Sequence, residues 1–507
     1  MLELNFFERM IAGISPRMAL NRYMARQALD VALAYDGASR GRRMAEWTKV
    51  SGSSANTEAR PAISILRERS RDLARNNVYG LRAISIITNS MIGGGIRPVF
   101  KANGKAKAQK LNDLWQAWGE DDVQADSDGQ GNIYALQGLI ARTVAESGEC
   151  IVLRRYVKDP SKLIPLEIQV LEPDHIDSSR DSYWRKLGQP FSCLGIEFDA
   201  QGHRSGYWLY DVHPGECVAL EPSKLHPADG VIHVYRRDRP GQIRGIPWLA
   251  PCVLRLKDLD DYEDAQLLRQ KIAACFCAFV TDTDAVSTNG VSDEDDEFGR
   301  LEPGRIDKLP PGKAIAFASP PGAENYDSYT RQVLRGIAVG TGLTYEMLSG
   351  DYSQVNFTSG RMGKGDFWPC LDVWQWQMFA PQALSKIGRW FLEAAELAGY
   401  DTKGVRIEWV PPRRELVDPT KEIPAMTKYV RSGFTSRQQI IRELGYDPAV
   451  VSAEIAEDNK LADELGLVLD SDARRTNNSG QAQAGKTAEN EGDDNGDGEE
   501  TNGTEDE

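Results

Sequence analysis

The 507-residue chain lacks the features that mark membrane-spanning, secreted or cysteine-ligated proteins. No run approaches the roughly 18 uncharged apolar residues that a membrane span needs. The first residues, MLELNFFERMIAG, contain two glutamates and no apolar core of a secretion signal. Seven cysteines are scattered without a C-x-x-C pair, which favours small buried side chains over a metal site. We therefore expect no membrane partner and a protein that works in the cytosol or in an assembly built there.

Sequence signatures of catalysis are also missing. The five histidines form no H-E-x-x-H motif and no pair four residues apart, so structural roles are expected for them. A phosphate-binding loop is excluded because Gly363-Lys364 is followed by Gly365, and there is no G-x-S-x-G elbow. The acidic run at 293–297 lacks the rhythm of a calcium loop. These absences predict a protein with no enzymatic activity, no cofactor and no metal site.

Charge is spread unevenly along the chain. Residues 1–110 hold 19 Lys and Arg against 8 Asp and Glu, whereas residues 470–507 hold 3 against 12. The whole chain carries a net charge of −15. A protein that grips DNA tightly shows a basic domain instead. The chain therefore either ignores nucleic acid or handles it without holding it.

Hydrophobic periodicity predicts an α+β region over residues 61–243, with helices first and β-branched or aromatic strands after them. The arginines at 67, 69, 71 and 75 are expected to face solvent or a neighbouring subunit. A long helical stripe then runs from Val253 to Phe279, with a densely charged opposite face. A small insert over 281–325 contains a predicted strand, KAIAFAS, at 313–319.

A polar, glycine-rich segment over 348–365 separates two apolar helical patterns and is predicted to be a loop, which at this length is usually functional. The aromatic helix after it extends to about Leu397, and Pro381 is expected to kink it. A strand-like run, VRIEWVPP, and short helices follow. The composition of residues 470–507 predicts a disordered acidic tail.

Four motifs, in this order and spacing, resemble the lambda-like family of phage portal proteins: RERSRDLARNN (67–77), AESGE (145–149), RPGQIRGIPWLAP (239–251) with its following helix, and NFTSGRMG (356–363). The resemblance covers roughly residues 60–465. It implies a portal-type multidomain protomer with a wing, two stem helices, a small clip insert, a tunnel loop, a long kinked tunnel helix and an α-helical crown.

On this resemblance the parts have the following bounds: basic N-terminal arm 1–60, wing 61–243, first stem helix 244–280, clip insert 281–325, second stem helix 326–347, tunnel loop 348–365, tunnel helix 366–399, wing-return strand and crown 400–469, and acidic tail 470–507. The resemblance also implies a ring of identical copies, usually twelve, at one vertex of a virion that is assembled in the host cytoplasm. Its implied partners are the terminase large subunit, the major capsid and scaffold proteins, the head–tail connector proteins, and double-stranded DNA that passes through without sequence specificity.

A channel for DNA should attract the duplex only weakly, because each cationic contact adds affinity through counterion release and a ring multiplies every contact. The candidate channel residues are Asn356, Thr358, Ser359, Arg361, Lys364, Arg331 and Arg335. An alternative for Arg361 is an ion pair with a carboxylate of a neighbouring subunit. The candidate docking surface for a motor or connector protein on the clip is Asp293, Glu294, Asp295, Asp296 and Glu297.

Two other functions compete with a DNA conduit. A phage-associated enzyme that processes nucleic acid would use an acidic cluster to hold Mg²⁺, but the chain has no spaced Asp/Glu motif for it. A structural ring or scaffold that never meets DNA would share the helices, but would have no use for a polar loop at a lumen.

Overall fold

A computed structural model of the chain describes residues 10–33 except 12 and 14, 52–121, 123–182, 188–216, 221–274, 278–282, 313–317, 326–412, 416, 418–469, 472 and 474. The chain divides into two compact units, residues 1–58 and 59–507. Helices and strands both build the second unit, which confirms the α+β prediction. The acidic run at 293–297, most of the predicted clip insert and nearly all of the predicted tail lie outside the described residues.

The helices in chain order are α1 (Pro16–Leu33), α2 (Ala55–Asn76), α3 (Val78–Ile92), α4 (Lys105–Trp115), α5 (Ile133–Ser147), α6 (Val253–Ala274), α7 (Tyr326–Thr341), α8 (Tyr345–Ser349), α9 (Phe357–Asp372), α10 (Ser385–Leu397), α11 (Pro419–Arg431), α12 (Arg437–Glu443) and α13 (Pro448–Glu464). Widened π-type turns occupy Gln116–Asp121 and Val373–Leu384, so α9 continues into α10. Among the described helices, none is long and apolar enough to cross a membrane.

The strands are β1 (Arg97–Lys101), β2 (Glu149–Arg155), β3 (Glu167–Leu171), β4 (Phe191–Cys193), β5 (Ile196–Phe198), β6 (Arg204–Leu209), β7 (Lys224–Pro227), β8 (Val231–Tyr235), β9 (Ala278–Asp282), β10 (Lys313–Phe317) and β11 (Arg406–Val410). They form antiparallel sheets with the strand orders β3-β2-β8, β4-β5-β6-β7, β1-β11 and β9-β10. Strand β8 is buried along its whole length. This burial fits its sequence, VIHVY, which is apolar or aromatic at every position, His233 included.

The main core lies where helices α3, α5 and α10 meet strands β2 and β8. Its largest members are aromatic: the rings of Trp115 and Phe391 pack edge to face with centroids 4.9 Å apart, and Trp118 packs against both. A smaller second core lies between the two larger sheets and includes Ile151, Ile196 and Tyr207. Burial of large aromatic surfaces dominates the stability of such cores.

Several helix boundaries differ from the sequence prediction. The helical stripe predicted from Val253 to Phe279 ends by Ala274, and residues 278–282 form a strand that pairs with 313–317. The predicted strand at 313–319 is present as Lys313–Phe317. Both strands of this antiparallel pair are rich in alanine, β-branched and phenylalanine residues. A short apolar run of this kind fits a helix or a strand equally well, so periodicity could not distinguish the two.

The buried side chain of Glu149, at the start of β2, collects donors from three distant segments. Its carboxylate accepts hydrogen bonds from Arg244 at 2.6 to 3.0 Å, from Arg67 at 2.9 Å, from His233 at 2.9 Å and from the backbone N–H of Gly245 at 2.8 Å. Burial alone would raise the pKa of Glu149, but the Arg244 guanidinium and the hydrogen bond from His233 outweigh it and hold the pKa well below its usual range. The carboxylate is therefore charged and fully partnered.

Two glycines let the backbone close around this carboxylate. Gly148 ends α5 in the left-handed region with φ +89°, and a Cβ there would lie 2.4 Å from the carbonyl carbon of Ile246. A Cβ on Gly245 would lie 2.1 Å from the carbonyl oxygen of Gly148. Both positions therefore require glycine, which explains the glycines in AESGE and RGIP.

Of the four arginines of α2, Arg67 is buried and Arg71 is half-buried, and both pair with carboxylates of this chain, so the prediction that all four face solvent or a subunit is wrong for Arg67. Arg67 is only 5% exposed and also lies 3.2 Å from Asp174. Arg71 donates to Asp174 at 2.5 Å and Glu172 at 2.7 Å. Arg69 and Arg75 are exposed as predicted. The partners of Arg67 and Arg71 lie about a hundred residues away in sequence, so a local charge pattern could not reveal them.

His233 is held in its neutral form by its two neighbours. Its Nε2–H donates to Glu149, and its Nδ1 accepts from a guanidinium N–H of Arg204 at 3.0 Å, which leaves no room for a second ring proton. Burial, together with the positive charges of Arg204 and Arg244, lowers the pKa of His233 to about 4.

Replacing Glu149 by glutamine should strongly destabilise the protein, because two buried guanidinium groups lose their shared counter-charge. We expect Glu149→Gln to lower the free energy of unfolding by about 3–5 kcal/mol, measured by urea titration at fixed protein concentration. The matched control is Glu408→Gln, which removes the exposed partner of Lys101 and should cost less than about 1 kcal/mol. Equal losses in the two variants would contradict the assignment.

The neutral His233 should make stability fall in mild acid. The pKa of His233 is lower in the folded protein than in the unfolded chain. Between about pH 6.5 and pH 4 the unfolded chain therefore binds a proton at His233 and the native state does not, so stability declines as pH falls. His233→Gln keeps an N–H for Glu149 and an acceptor for Arg204, and should flatten the pH dependence of the urea midpoint between about pH 6.5 and pH 5. His203→Gln, at an exposed histidine, should keep the wild-type slope. A wild-type slope in His233→Gln would reject the neutral assignment.

Candidate nucleic-acid interface

The polar segment predicted as a loop over 348–365 is a loop only between α8 and α9. Helix α8 begins after Thr344, whose hydroxyl caps the N–H of Met347, and ends at Gly350 in the left-handed region with φ 72°. Helix α9 then begins at Phe357, so the predicted loop is wrong beyond residue 356. The second stem helix predicted over 326–347 is also interrupted, because α7 ends at Thr341.

Helix α9 begins where it does because Asn356 and Ser359 form a reciprocal capping box. The Ser359 N–H donates to Asn356 Oδ1 at 2.8 Å, and the Asn356 N–H donates to Ser359 Oγ at 3.0 Å. These bonds satisfy backbone donors that a helix start otherwise leaves unpaired. The Ser359 hydroxyl also donates to the Asn356 carbonyl, so its one proton is already used within the cap. Of the three polar candidates, Thr358 is exposed and takes no part in the cap.

The connecting residues 350–356 are organised around Asp351. Its carboxylate accepts hydrogen bonds from the Ser353 hydroxyl at 2.6 Å and the Ser353 N–H at 3.0 Å, and from the Tyr345 hydroxyl at 3.1 Å. These bonds, led by the Ser353 hydroxyl, hold the pKa of Asp351 below its usual range. The carboxylate of Asp351 thus fixes the conformation of the connection in which it lies.

The four predicted cations are not equivalent. Arg331 forms an ion pair with Asp327 one turn earlier in α7, at 3.0 Å. The guanidinium of Arg335 lies over the ring of Tyr345, 5.6 Å from its centroid. Arg361 and Lys364, on α9, have no ion pair or hydrogen bond within the described part of the chain. The two cations beside the loop are therefore available to an outside anion, whether DNA or another subunit.

Sequence reasoning missed two apolar side chains on the same segment. Tyr352 in the connection is 59% exposed, and Met362 in the second turn of α9 is 67% exposed. Both flank the polar candidates in sequence, and exposed apolar groups near a cationic site suit contact with a subunit or a sugar–phosphate backbone. The polar composition of the segment hid them.

One group of side chains in the described residues has the composition of a metal site. The ligand atoms of Glu172, Asp174 and His213 lie within 4.8 Å of one another. However, the guanidinium of Arg71 binds both carboxylates, so a protein cation already neutralises them. This arrangement fits a structural ion-pair network better than a metal centre.

Removal of the capping box should loosen the start of α9 alone. We expect Asn356→Ala to cost about 1 kcal/mol locally and to speed amide hydrogen exchange over residues 357–361 by roughly fivefold. The control is the exposed neighbour Thr358→Ala, which should leave the exchange rates near the wild-type values. Similar rates in both variants would mean that the cap does not hold this helix end.

Comparison with known proteins gives consistent results over most of the chain. A family model described as phage portal protein, lambda family, matches residues 40–375. The probable portal protein of Halomonas phage phiHAP-1 is 27% identical over 429 residues, covering 79% of this chain and 81% of that protein. Portal protein B of Escherichia phage lambda is 21% identical over 473 residues, covering 82% of this chain and 87% of that protein.

Solved structures give weaker likenesses. A chain from the neck of a native gene transfer agent particle, computed with C12 symmetry, aligns with a TM-score of 0.46 at 14% identity, covering 80% of this chain and 99% of that one. An HK97-family phage portal protein from Corynebacterium diphtheriae aligns with a TM-score of 0.32 at 10% identity, covering 70% of this chain and 96% of that one. The family match, which spans well over half of the sequence, confirms the resemblance: the chain belongs to the lambda family of phage portal proteins, structural proteins of the capsid vertex.

Proposed function

We propose that this protein assembles into a closed ring, of twelve copies in the usual portal arrangement, through which double-stranded DNA enters and leaves a phage head. The observation that carries the proposal is the match of residues 40–375 to the lambda-family portal model. The order of the parts supports it: charged helix α6, an insert that contains the β9–β10 hairpin, helix α7, a short shaped loop, and the long α9–α10 helix.

In this proposal the segment 350–364 faces the lumen and touches passing DNA only briefly. Arg361 and Lys364 supply unpaired positive charge, Thr358 and the amide of Asn356 supply neutral polar contacts, and the cap and the Asp351 turn keep the segment in place. Two free cations from each copy guide the duplex. A larger number, multiplied around a ring, would bind it through counterion release and slow its passage.

The partners in this proposal follow from the same role. The terminase large subunit docks on the clip, where the acidic run from Asp293 to Glu297 would form the contact. Capsid and scaffold proteins surround the ring during assembly in the host cytoplasm, and head–tail connector proteins replace the motor afterwards. The wing, stem and crown assignments made from the sequence belong to the same proposal.

Electron microscopy of the purified full-length protein tests the ring directly. We expect closed rings with an axial opening wide enough for a B-form duplex. A protein that stays monomeric under assembly conditions, or a ring too narrow for DNA, would overturn the proposed function.

The two unpaired cations should matter for DNA and not for assembly. We expect the double variant Arg361→Gln and Lys364→Gln to form normal rings but to yield several-fold fewer DNA-filled heads, measured as packaged DNA protected from nuclease. The control is Arg331→Gln, because Arg331 is already neutralised by Asp327. Normal packaging in the double variant would remove these side chains from the channel assignment.

A further inference from the structure

A cationic pocket lies far from the loop, between sheet strand β6 and helix α10. Its volume is about 380 Å³. The charged side chains that line it are Arg154, Arg204, Lys386, Arg389, Asp229 and Glu393. Cations thus outnumber carboxylates by four to two on these walls.

Both carboxylates are already used by one arginine. Arg154 binds Glu393 at 2.5 Å and Asp229 at 3.5 Å, and its guanidinium also lies over the ring of Trp390. The single positive charge of Arg154 and the two carboxylates sum to −1. Arg204, Lys386 and Arg389 add three positive charges, so the charged walls of the pocket carry a net +2.

These three cations have no carboxylate partner within the described part of the chain. Arg204 donates only to neutral groups: the hydroxyls of Tyr207 at 2.9 Å and Tyr235 at 2.6 Å, Nδ1 of His233, and the carbonyl oxygen of Ile243.

Lys386, which is half-buried, and the exposed Arg389 make no hydrogen bond or ion pair within those same residues. Burial, and then the positive charges of Arg204 and Arg389, lower the pKa of Lys386. The arrangement has the composition of an anion-binding site.

We propose that a carboxylate side chain from a neighbouring copy of this chain occupies the pocket and pairs with Lys386 and Arg389. This inference rests on the proposed ring, in which each copy meets an identical neighbour. The chain supplies carboxylates in excess, with 75 Asp and Glu against 60 Lys and Arg. Contact between such copies is repulsive on average, so a local cationic pocket that receives a neighbour's acid would offset the repulsion and fix the register.

A DNA phosphate fits the geometry less well. Lys386 lies about 40 Å along the α9–α10 helix from the loop, at about 1.5 Å per residue. A lumen-facing group of three unpaired cations in every copy would also hold DNA by counterion release, which a conduit must avoid.

Zero-length cross-linking in mixed rings tests the assignment. Rings are assembled from unlabelled and ¹⁵N-labelled full-length copies and treated with a water-soluble carbodiimide. The reagent activates a carboxylate, the Lys386 amine displaces the urea that the reagent leaves, and an amide bond forms at contact distance. We expect cross-linked peptides in which Lys386 from one isotope is joined to an Asp or Glu from the other. Cross-links of Lys386 only within single-isotope peptides, to Asp229, Glu393 or the 470–507 segment, would overturn the proposal.

Charge reversal gives the second readout. We expect Lys386→Glu with Arg389→Glu to lower the urea concentration at which rings dissociate, with the far-ultraviolet circular dichroism of the separated subunits unchanged. The matched control, Lys105→Glu with Lys110→Glu, makes the same charge change at two exposed lysines of α4 and should leave ring stability near wild type. Wild-type ring stability in the Lys386 and Arg389 variant would also overturn the proposal. A wild-type chain that never forms rings would instead refute the proposed function.

Discussion

The hydrogen bonds and ion pairs of the Glu149 carboxylate are the interactions on which the α+β region depends. It is fully buried, and it joins helix α2 through Arg67, strand β8 through His233, and the turn before α6 through Arg244 and Gly245. These partners lie 82 to 96 residues from it in sequence. A buried charge is tolerated only when every lone pair is satisfied, so the carboxylate fixes the position of all three segments at once.

Three of the four family-like motifs meet at this point. Glu149 ends AESGE, Arg67 begins RERSRDLARNN, and Arg244 lies in RPGQIRGIPWLAP. Arg244 also donates to the carbonyl oxygen of Leu194 at 2.8 Å, where the backbone has φ +50°, the one positive φ of a non-glycine residue among the described positions. The same arginine therefore shapes the turn between β4 and β5. The motifs describe one ion cluster, divided in the sequence and assembled in the fold.

The long helix that follows the loop is joined to the rest of the core by two buried or half-buried glutamines. In its π-type part, Gln375 donates to the carbonyl oxygen of Met91 at the end of α3, at 2.7 Å. The side-chain amide of Gln382 accepts from the N–H of Tyr235 at 2.9 Å and donates to its carbonyl oxygen at 3.1 Å. It thereby satisfies the backbone groups that the last residue of edge strand β8 would otherwise leave unpaired. Pro381 lies inside this widened turn, where its missing N–H is more easily accommodated than in a regular α-helix. The middle of the long helix is therefore anchored to α3 and β8 through two glutamines whose roles no local pattern indicates.

The sequence predicted the helices and strands far better than the side-chain contacts between distant segments. The α+β class and the resemblance follow from periodicity and from motifs that lie within short windows. The loop prediction failed because Gly360, Gly363 and Gly365 dominate the composition of the segment. The helix-capping signal Asn-x-x-Ser at 356–359 indicates the helix start instead. Two of these glycines have packing roles inside the helix: a Cβ would meet Val355 at Gly360 and Thr344 at Gly363, at 3.3 Å each. Arg67 was misplaced because its burial depends on a carboxylate 82 residues away.

The ion pairs of the arginines and lysines also bear on how an acidic chain can conduct DNA. Arg67, Arg71 and Arg244 are neutralised at contact distance by Glu149, Asp174 and Glu172, so they contribute little to the electric field outside the protein. The net charge of −15 is spread unevenly, since residues 1–110 are basic, but it disfavours DNA binding to the chain on average. Among the candidate channel residues, Arg361 and Lys364 have no ion pair within the described part of the chain, and they lie on a helix end that is capped from within. In the proposed channel, attraction confined to these two side chains of each copy would centre a duplex without holding it.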